Sequence, residues 1–164
     1  MKIFFAFRIV MSIATIIFSL SSTTTAEASD SLLLKKGSLE INLSLKEILD
    51  KRSKTIITST PWTTKTAFEG IRLSDLMHFL SANKGKLRLE ALDGYWVTIP
   101  YTDIEKYNII LAYKANGKFL SKRNFGPFFI IYPYDKMENE LNKPMYHSRS
   151  IWQVYKIEVE DENL

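Results

Sequence analysis

The sequence contains no cysteine among its 164 residues and only two histidines. The absence of thiols excludes disulfide bonds, zinc–thiolate clusters and thiol catalysis, so hydrophobic burial must supply the stability of the fold. Two histidines without any cysteine also argue against a dedicated transition-metal site. Glycine is scarce, with six residues, and forms no collagen-like repeat. No run of like charges resembles an acidic or basic tail.

The remaining composition is that of one globular domain. Hydrophobic residues make up 46% of the chain, charged residues 24% and aromatic residues 13%, and about 100–200 residues is the usual size of a domain. The net charge is only +4, and lysines and acids are interspersed along the chain. Nucleic-acid binding usually needs a denser basic face, so we expect no nucleic acid partner.

The first 28 residues have the three parts of a secretory signal peptide. Lys2 and Arg8 form a basic region, residues 9–20 are apolar, and Ala26-Glu27-Ala28 has the small-x-small form of a cleavage site. The apolar run is shorter than the ~20 residues of a comfortable transmembrane helix. We therefore expect cleavage after residue 28, export to the periplasm, and one domain at 29–164, with an uncleaved anchor as the alternative.

The pattern beyond residue 28 predicts more strands than helices. Residues 39–43 alternate apolar and polar side chains, as a half-buried strand does. Ser44 with Glu47, and Thr102 with Glu105, have the spacing of capping boxes and each predicts the start of a short helix. The other predicted elements are strands at 55–58, 87–92, 95–99, 108–113, 128–132 and 151–160 and a helix at 73–82. Asp93-Gly94 predicts a hairpin turn. Short, hairpin-like connections favour the α+β class.

Catalytic patterns are weak, whereas aromatic residues near polar groups are frequent. His78 lies on a predicted helix and favours a structural role, while His147, in a polar loop, is either a site residue or simply exposed. Trp96 and Phe129 are expected in the core. Trp62 and Trp152 lie at strand ends beside polar groups, which favours contact with a planar ligand. The polar and aromatic candidates that accompany them are Asp93, Tyr95, Arg123, Asn124, Arg149 and Ser150.

Four segments, read in order, resemble the molybdopterin-binding domain of the sulfite oxidase fold. They are residues 68–76 (FEGIRLSDL), 91–95 (ALDGY), 111–120 (LAYKANGKFL) and 124–127 (NFGP). The resemblance extends over nearly all of 29–164 and implies a single-domain α+β fold with a mixed sheet and short helices.

The chain departs from the family pattern at the positions that hold the metal-bearing cofactor. The family's enzymes hold molybdenum through a cysteine after an early strand, and the corresponding residues here, 58–62, contain no thiol. The family's arginine after Gly-x-Pro is replaced by Phe128-Phe129, and its Lys-Ser-Val-Lys by Arg149-Ser150-Ile151-Trp152. Losing a soft thiolate and two cations disfavours the molybdenum cofactor, although Ser59 or Thr60 offers a hydroxyl ligand.

The Arg-Ser-x-Trp-Gln ending at 149–153 is similar to that of a small exported subgroup, the periplasmic pterin-binding regulators. This resemblance implies a free pterin as ligand, no catalytic cofactor and no molybdenum. It also implies a partner, the periplasmic domain of a membrane diguanylate cyclase or phosphodiesterase, through which cyclic-di-GMP and biofilm formation are regulated. One alternative is a molybdenum cofactor-dependent periplasmic oxidoreductase with a non-cysteine ligand. Another is an interaction module that binds no small molecule.

Overall fold

The structure, a computed structural model, describes residues 30–160. The predicted signal peptide at 1–28 lies outside the described residues and stays a prediction. Over 30–160, no helix has the length and apolar character needed to cross a membrane.

Ten strands and five short helices are found within the described range. The strands are β1 (Ser31–Lys36), β2 (Leu39–Ser44), β3 (Lys54–Thr60), β4 (Thr63–Arg72), β5 (Lys86–Ala91), β6 (Trp96–Pro100), β7 (Ile110–Ala115), β8 (Lys118–Phe119), β9 (Phe129–Ile131) and β10 (Val154–Glu160). The helices are α1 (Leu45–Leu49), α2 (Leu73–Phe79), α3 (Tyr101–Tyr107), α4 (Glu138–Leu141) and α5 (Pro144–Arg149). A 3-10 turn at Tyr134–Lys136 precedes α4.

The strands form two five-stranded sheets, which confirms the α+β class. The first sheet has the order β2-β1-β10-β5-β6, with β1 and β10 parallel and its other neighbours antiparallel. The second has the order β3-β4-β7-β8, and β9 also pairs with β7. The first sheet is mixed, as the resemblance implied, and the second is antiparallel throughout.

Two hydrophobic clusters hold these layers together. The larger contains the inward-facing residues of the first sheet together with α2 and α3, including Leu34, Leu89 and Ile157, which are fully buried. The smaller lies on the second sheet around Phe68, Ile110, Phe129 and Ile131, and Phe125 and Trp152 pack against it. Burial of apolar surface is the dominant stabilising contribution in a chain without disulfides. Phe129 is fully buried, as expected.

Local turn and cap chemistry confirms two of the predicted boundaries. Ser44 and Glu47 form a complete capping box at the start of α1, in which the Ser44 hydroxyl accepts from the Glu47 amide and the Glu47 carboxylate accepts from the Ser44 amide. Gly94 has φ +87° in the turn between β5 and β6, a conformation that costs glycine little. The predicted hairpin at 87–99 is therefore confirmed, with Leu89 opposite Val97.

Two local predictions are wrong, and one predicted helix is present but shorter than expected. Thr102 does not cap a helix, because α3 already begins at Tyr101, whose amide donates to the carbonyl of Gly85 at 3.0 Å. The helix predicted at 73–82 ends at Phe79, and Ser81 adopts φ +50°. Trp96 is 51% exposed rather than buried, because its ring lies over the Arg88 guanidinium on the outer face of the hairpin, 4.2 Å from ring centroid to Cζ.

Candidate functional site

The two candidate tryptophans meet at the edge of the smaller hydrophobic cluster. Their ring centroids are 4.7 Å apart at an interplanar angle of 74°, an edge-to-face contact. Phe129 lies beneath both rings, with centroids 6.2 Å from each. Phe125 stacks on Phe129 at 5.0 Å and meets Trp152 edge-on at 5.7 Å. The buried cluster thus fixes the orientation of the two indoles without covering them.

Trp62 is presented by the tight turn between β3 and β4. The Thr60 hydroxyl accepts hydrogen bonds from the amides of Trp62 and Thr63 at 3.2 and 3.0 Å, which closes the turn. The same hydroxyl lies 2.9 Å from that of Thr63. This network holds the backbone, while the Trp62 side chain remains 40% exposed. An exposed indole held on a fixed backbone is well suited to contact a flat ligand.

A cavity of about 290 Å³ lies against these indoles. Three parts of the chain form it: the β3–β4 turn, the β5–β6 hairpin turn and the segment from α5 to Trp152. Its lining residues are Trp62, Ala91, Asp93, Tyr95, His147, Ser148, Ser150, Ile151 and Trp152. Five of the eight residues predicted from the sequence therefore come together here, although they lie far apart in the chain.

Asp93 brings a carboxylate to the mouth of the cavity. Its Oδ1 accepts from the Tyr95 amide at 2.9 Å, the local bond by which aspartate stabilises a turn. The other oxygen, Oδ2, has no hydrogen bond or ion pair within residues 30–160. A carboxylate has about four lone-pair positions, so Asp93 keeps acceptor capacity toward a ligand while it also holds the turn.

Ser150 lines the cavity although it is almost fully buried, and its hydroxyl is already used as a donor. The Tyr134 hydroxyl donates to the Tyr146 carbonyl at 2.8 Å, and it lies 2.7 Å from Ser150 Oγ. Burial raises the pKa of Tyr134 to about 12, so this phenol keeps its single proton. Since that proton goes to Tyr146, the hydrogen between the two hydroxyls comes from Ser150. The remaining lone pairs of Ser150 Oγ then favour an N–H donor.

Arg149 lies outside the cavity lining, because it is engaged in an ion pair between α5 and α3. Its Nη1 donates to Asp103 Oδ2 at 2.6 Å, and the two side chains are only 18% and 13% exposed. Tyr107, Tyr132 and Tyr146 pack together nearby. Burial raises the pKa of Asp103 even though Arg149 opposes this shift. The structure thus gives Arg149 a role in holding α5.

Arg123 and Asn124 also lie away from the cavity, on the exposed part of the turn at residues 121–126. The Asn124 amide donates to the Ser121 carbonyl at 2.8 Å. The Gln153 side chain donates to the Lys122 carbonyl at 2.6 Å, which ties this turn to the residue after Trp152. Neither Arg123 nor Asn124 lines the cavity, and a ligand-binding role for these two residues and Arg149 stays a prediction.

Residues 58–62, which the sequence resemblance matches to the family's cysteine loop, contribute to this cavity through Trp62 and to a second one of about 200 Å³ through residues 59–61. Ser59 is held there by its amide, which donates to Asp135 Oδ1 at 2.9 Å, and the Asp135 amide in turn donates to Thr58 Oγ1 at 2.9 Å. His147 lines both cavities. In the part of the chain that the structure describes, no group of three or more His, Asp or Glu side chains is suited to a metal ion.

Four cavity residues are not among the eight predicted from the sequence, namely the apolar Ala91 and Ile151 and the polar His147 and Ser148. The sequence interpretation placed His147 in a polar loop, whereas the structure places both polar residues on α5. Pro144 at the first helical position is the signal that favours a helix here, because proline is preferred at that position.

Comparisons with known proteins identify the fold alone. No known family model matches the sequence, and no curated protein matches it. Among solved structures, the sulfane dehydrogenase SoxCD from Paracoccus pantotrophus is similar, with a TM-score of 0.60 and 14% identity. The match covers 80% of this chain and 38% of that protein, so this chain spans less than two-fifths of its length. At this identity the match shows a shared fold, and a sulfite oxidase-like α+β fold is what the sequence resemblance implied.

Proposed function

We propose that the protein is a non-catalytic periplasmic receptor for a free pterin. The observation that carries this proposal is the cavity lined by Trp62, Tyr95 and Trp152 together with the carboxylate-bearing Asp93. Small-molecule sites usually combine apolar and aromatic walls with a few polar groups that fix orientation. A pterin matches this composition, since it has a flat bicyclic face and an edge rich in hydrogen-bonding groups.

The size and charge of the cavity favour a free pterin ring, without the phosphate and the metal that the molybdenum cofactor carries. Ligand sites occupy about 300–1,000 Å³, and the 290 Å³ of this cavity is just below that range. Neither lysine nor arginine lines it, whereas phosphate groups are usually held by such cations. The chain has no thiolate to bind a metal, and the Thr60 hydroxyl is already bonded within its turn. Both facts disfavour a metal ion here. The lining residues fit the heterocycle and not the whole molybdenum cofactor.

In the proposed binding mode, two acceptors meet the donor edge of the pterin. Asp93 accepts from the 2-amino group and N3–H, a pairing in which a carboxylate matches adjacent donors. Ser150 Oγ, which can only accept, takes a further N–H. His147 and Ser148 pair with the remaining ring nitrogens or side-chain hydroxyls. Trp62, Trp152 and Tyr95 wall the ring.

The regulatory part of the proposal is that a periplasmic domain of a membrane diguanylate cyclase or phosphodiesterase binds the occupied protein. This part rests on the resemblance to pterin-binding regulators. It is supported by the exposure of Leu92, Tyr95 and Trp96 on the hairpin that closes the cavity, since exposed aromatic residues are frequent at interfaces. A ligand that moves Tyr95 changes this surface, and differential affinity for the two states is what couples the sites.

Titration of the purified protein with neopterin, followed by the fluorescence of the pterin, tests the proposal. Trp62→Ala removes one wall of the cavity, and we expect it to weaken binding by about tenfold, the magnitude typical of one aromatic stacking contact. Trp96→Ala is the matched control, because Trp96 has similar exposure and lies outside the cavity lining. This control is expected to change the affinity by less than about twofold.

Absence of binding by neopterin and by reduced pterins would overturn the proposal, as would equal binding by the parent protein and Trp62→Ala. The regulatory part is tested separately by measuring affinity for the periplasmic domain of the host's cyclic-di-GMP enzymes with and without pterin. Equal affinity in both conditions would remove that part alone.

The oxidoreductase alternative has one structural observation in its favour. Ser59, whose hydroxyl makes no hydrogen bond within the described residues, lines the second cavity, as His147 does. Metal analysis of protein exported by its native host separates the two functions. Stoichiometric molybdenum would establish the alternative and contradict the receptor proposal.

A further inference from the structure

A groove of about 450 Å³ on the second sheet collects positive charge. It extends from the start of β3 to the segment that follows β9, and the ends of β4 and α3 also contribute to it. Four cationic side chains line it, Lys54, Arg72, Lys106 and Lys136, and none of the lining residues is acidic. Such a concentration of one charge sign is unusual in a chain with a net charge of only +4.

Three of these four cations have no ion-pair partner within residues 30–160. Lys54, Arg72 and Lys136 make no salt bridge there, whereas Lys106 is paired with Glu140. Elsewhere on the described surface, many lysines, including Lys35, Lys86 and Lys114, are matched with acidic residues. A concave surface that holds uncompensated charges focuses the electrostatic potential and raises the local concentration of anions.

The groove also has an apolar side. Ile56, Pro133 and Met137 line it and are half-buried. None of the groove residues lines the aromatic cavity, so a ligand in one leaves the side chains of the other free. The combination of several cations with an adjacent apolar wall suits an anion that carries phosphate groups on an organic body.

We propose that this groove is a second binding site, which takes a phosphate-bearing ligand through Lys54, Arg72 and Lys136. Arg72 presents a planar guanidinium that can hold two phosphate oxygens at once, and the lysines act as point charges. A soluble phosphate ester and the headgroup of an anionic lipid share this chemistry.

Binding of inorganic pyrophosphate, followed by isothermal titration calorimetry at low and moderate salt, tests the site. Vesicles of phosphatidylglycerol, compared with phosphatidylcholine, test the lipid source. The variant Lys54→Glu/Lys136→Glu reverses two exposed charges of the groove, and Lys84→Glu/Lys118→Glu reverses two exposed charges outside it. We expect the groove variant to lose at least about tenfold in affinity, because two charge-assisted contacts are reversed. Added salt should weaken binding by the parent protein through screening.

Each outcome decides the proposal. Binding of pyrophosphate that the groove variant loses and the control retains supports a soluble ligand, and the same pattern with phosphatidylglycerol alone supports a lipid headgroup. The apolar segment at residues 9–20 is the same in every variant, so a difference between variants belongs to the groove. No binding of either probe at millimolar phosphate, or an equal loss in both double variants, would overturn it. The groove and the aromatic cavity share no lining residue, so we expect the groove variant to bind neopterin like the parent protein. The proposed phosphate site can therefore fail while the proposed pterin site stands, and the reverse.

Discussion

The Arg149–Asp103 ion pair offers a direct test of how the aromatic cavity is held. It joins α5, which carries His147 and Ser148, to α3 across 2.6 Å. Replacing Arg149 by methionine keeps an unbranched side chain of similar length but leaves the Asp103 carboxylate mostly buried without its partner. We therefore expect Arg149→Met to lower the free energy of unfolding.

The expected magnitude follows from the burial of the pair. Removing one partner of a fully buried pair costs about 3–5 kcal/mol, because the other charge stays desolvated. The side chains of Arg149 and Asp103 keep 18% and 13% of their exposure, so water reaches both and the loss is reduced to about 2–3 kcal/mol. For a domain of this size such a loss lowers the Tm by about 10 °C.

The double variant Arg149→Met/Asp103→Leu should recover most of this loss. It removes both charges, and replacing a buried pair by apolar side chains is often neutral or stabilising. A recovery to within about 1 kcal/mol of the parent protein is expected, since the new side chains fill much of the space of the old ones.

The effect also depends on pH in a defined direction. Burial already raises the folded-state pKa of Asp103 above its ordinary value, and Arg149 opposes that shift; without Arg149 the folded-state pKa rises further. An acid whose pKa is higher in the folded state binds more protons there, so stability falls as pH rises through the window between the unfolded and folded pKa values. The stability deficit of Arg149→Met should therefore shrink as the pH is lowered from neutral toward about 4.

Urea unfolding of the parent protein, the single variant and the double variant, each at pH 7 and pH 5, measures all three effects. The reasoning is refuted if Arg149→Met is as stable as the parent protein at pH 7. Unchanged stability together with lost neopterin affinity would instead place Arg149 at the ligand, as the sequence interpretation had it.

Three further predictions concern single positions. Asp93→Asn keeps an acceptor for the Tyr95 amide but loses the charge, so neopterin titration should show about tenfold weaker binding with unchanged Tm; equal affinity would exclude the proposed carboxylate contact. Ser44→Ala removes the capping box of α1 and should cost about 1 kcal/mol in urea unfolding, whereas no loss would show that the cap contributes nothing. Gly70→Ala places a methyl group against the Leu111 carbonyl and Ala112 backbone, so calorimetry should show a loss of about 2–3 kcal/mol; a neutral result would mean that the two strands separate easily.

The parts of the fold that sequence reasoning predicted are those specified by neighbouring residues. Asp93-Gly94 and the Ser44–Glu47 spacing each determine a turn or a cap through bonds that span two or three positions. β4 was not predicted, although it is the longest strand among the described residues. Its alternation is interrupted by a register shift between Glu69 and Gly70, and glycine within a strand weakens the pattern that identifies one.

The candidate site was predicted in part, because residue type and local sequence context identify some of its members but not how the fold orients them. Trp62, Asp93, Tyr95, Ser150 and Trp152 were selected by residue type, and the fold brings these five together. Arg149 was placed with them as a polar candidate, in the segment 149–152 that resembles the family's Lys-Ser-Val-Lys. In the structure, however, Arg149 donates to Asp103 on α3 and lies outside the cavity lining, whereas its chain neighbours Ser148 and Ser150 line the cavity.

The short α5 links ligand binding to the stability of the domain. A six-residue helix is far below the ~12–15 residues at which isolated helices become stable, so α5 depends on the Arg149–Asp103 pair and on the Ser150–Tyr134 contact. A ligand that contacts His147, Ser148 and Ser150 binds only when α5 is docked, and its apparent affinity falls with the docked fraction. Arg149→Met should therefore weaken neopterin binding although residue 149 does not contact the ligand. Adding Asp103→Leu to this variant should restore the affinity. If the double variant regained its stability but not its affinity for neopterin, ligand binding and the stability of the domain would not be linked in this way.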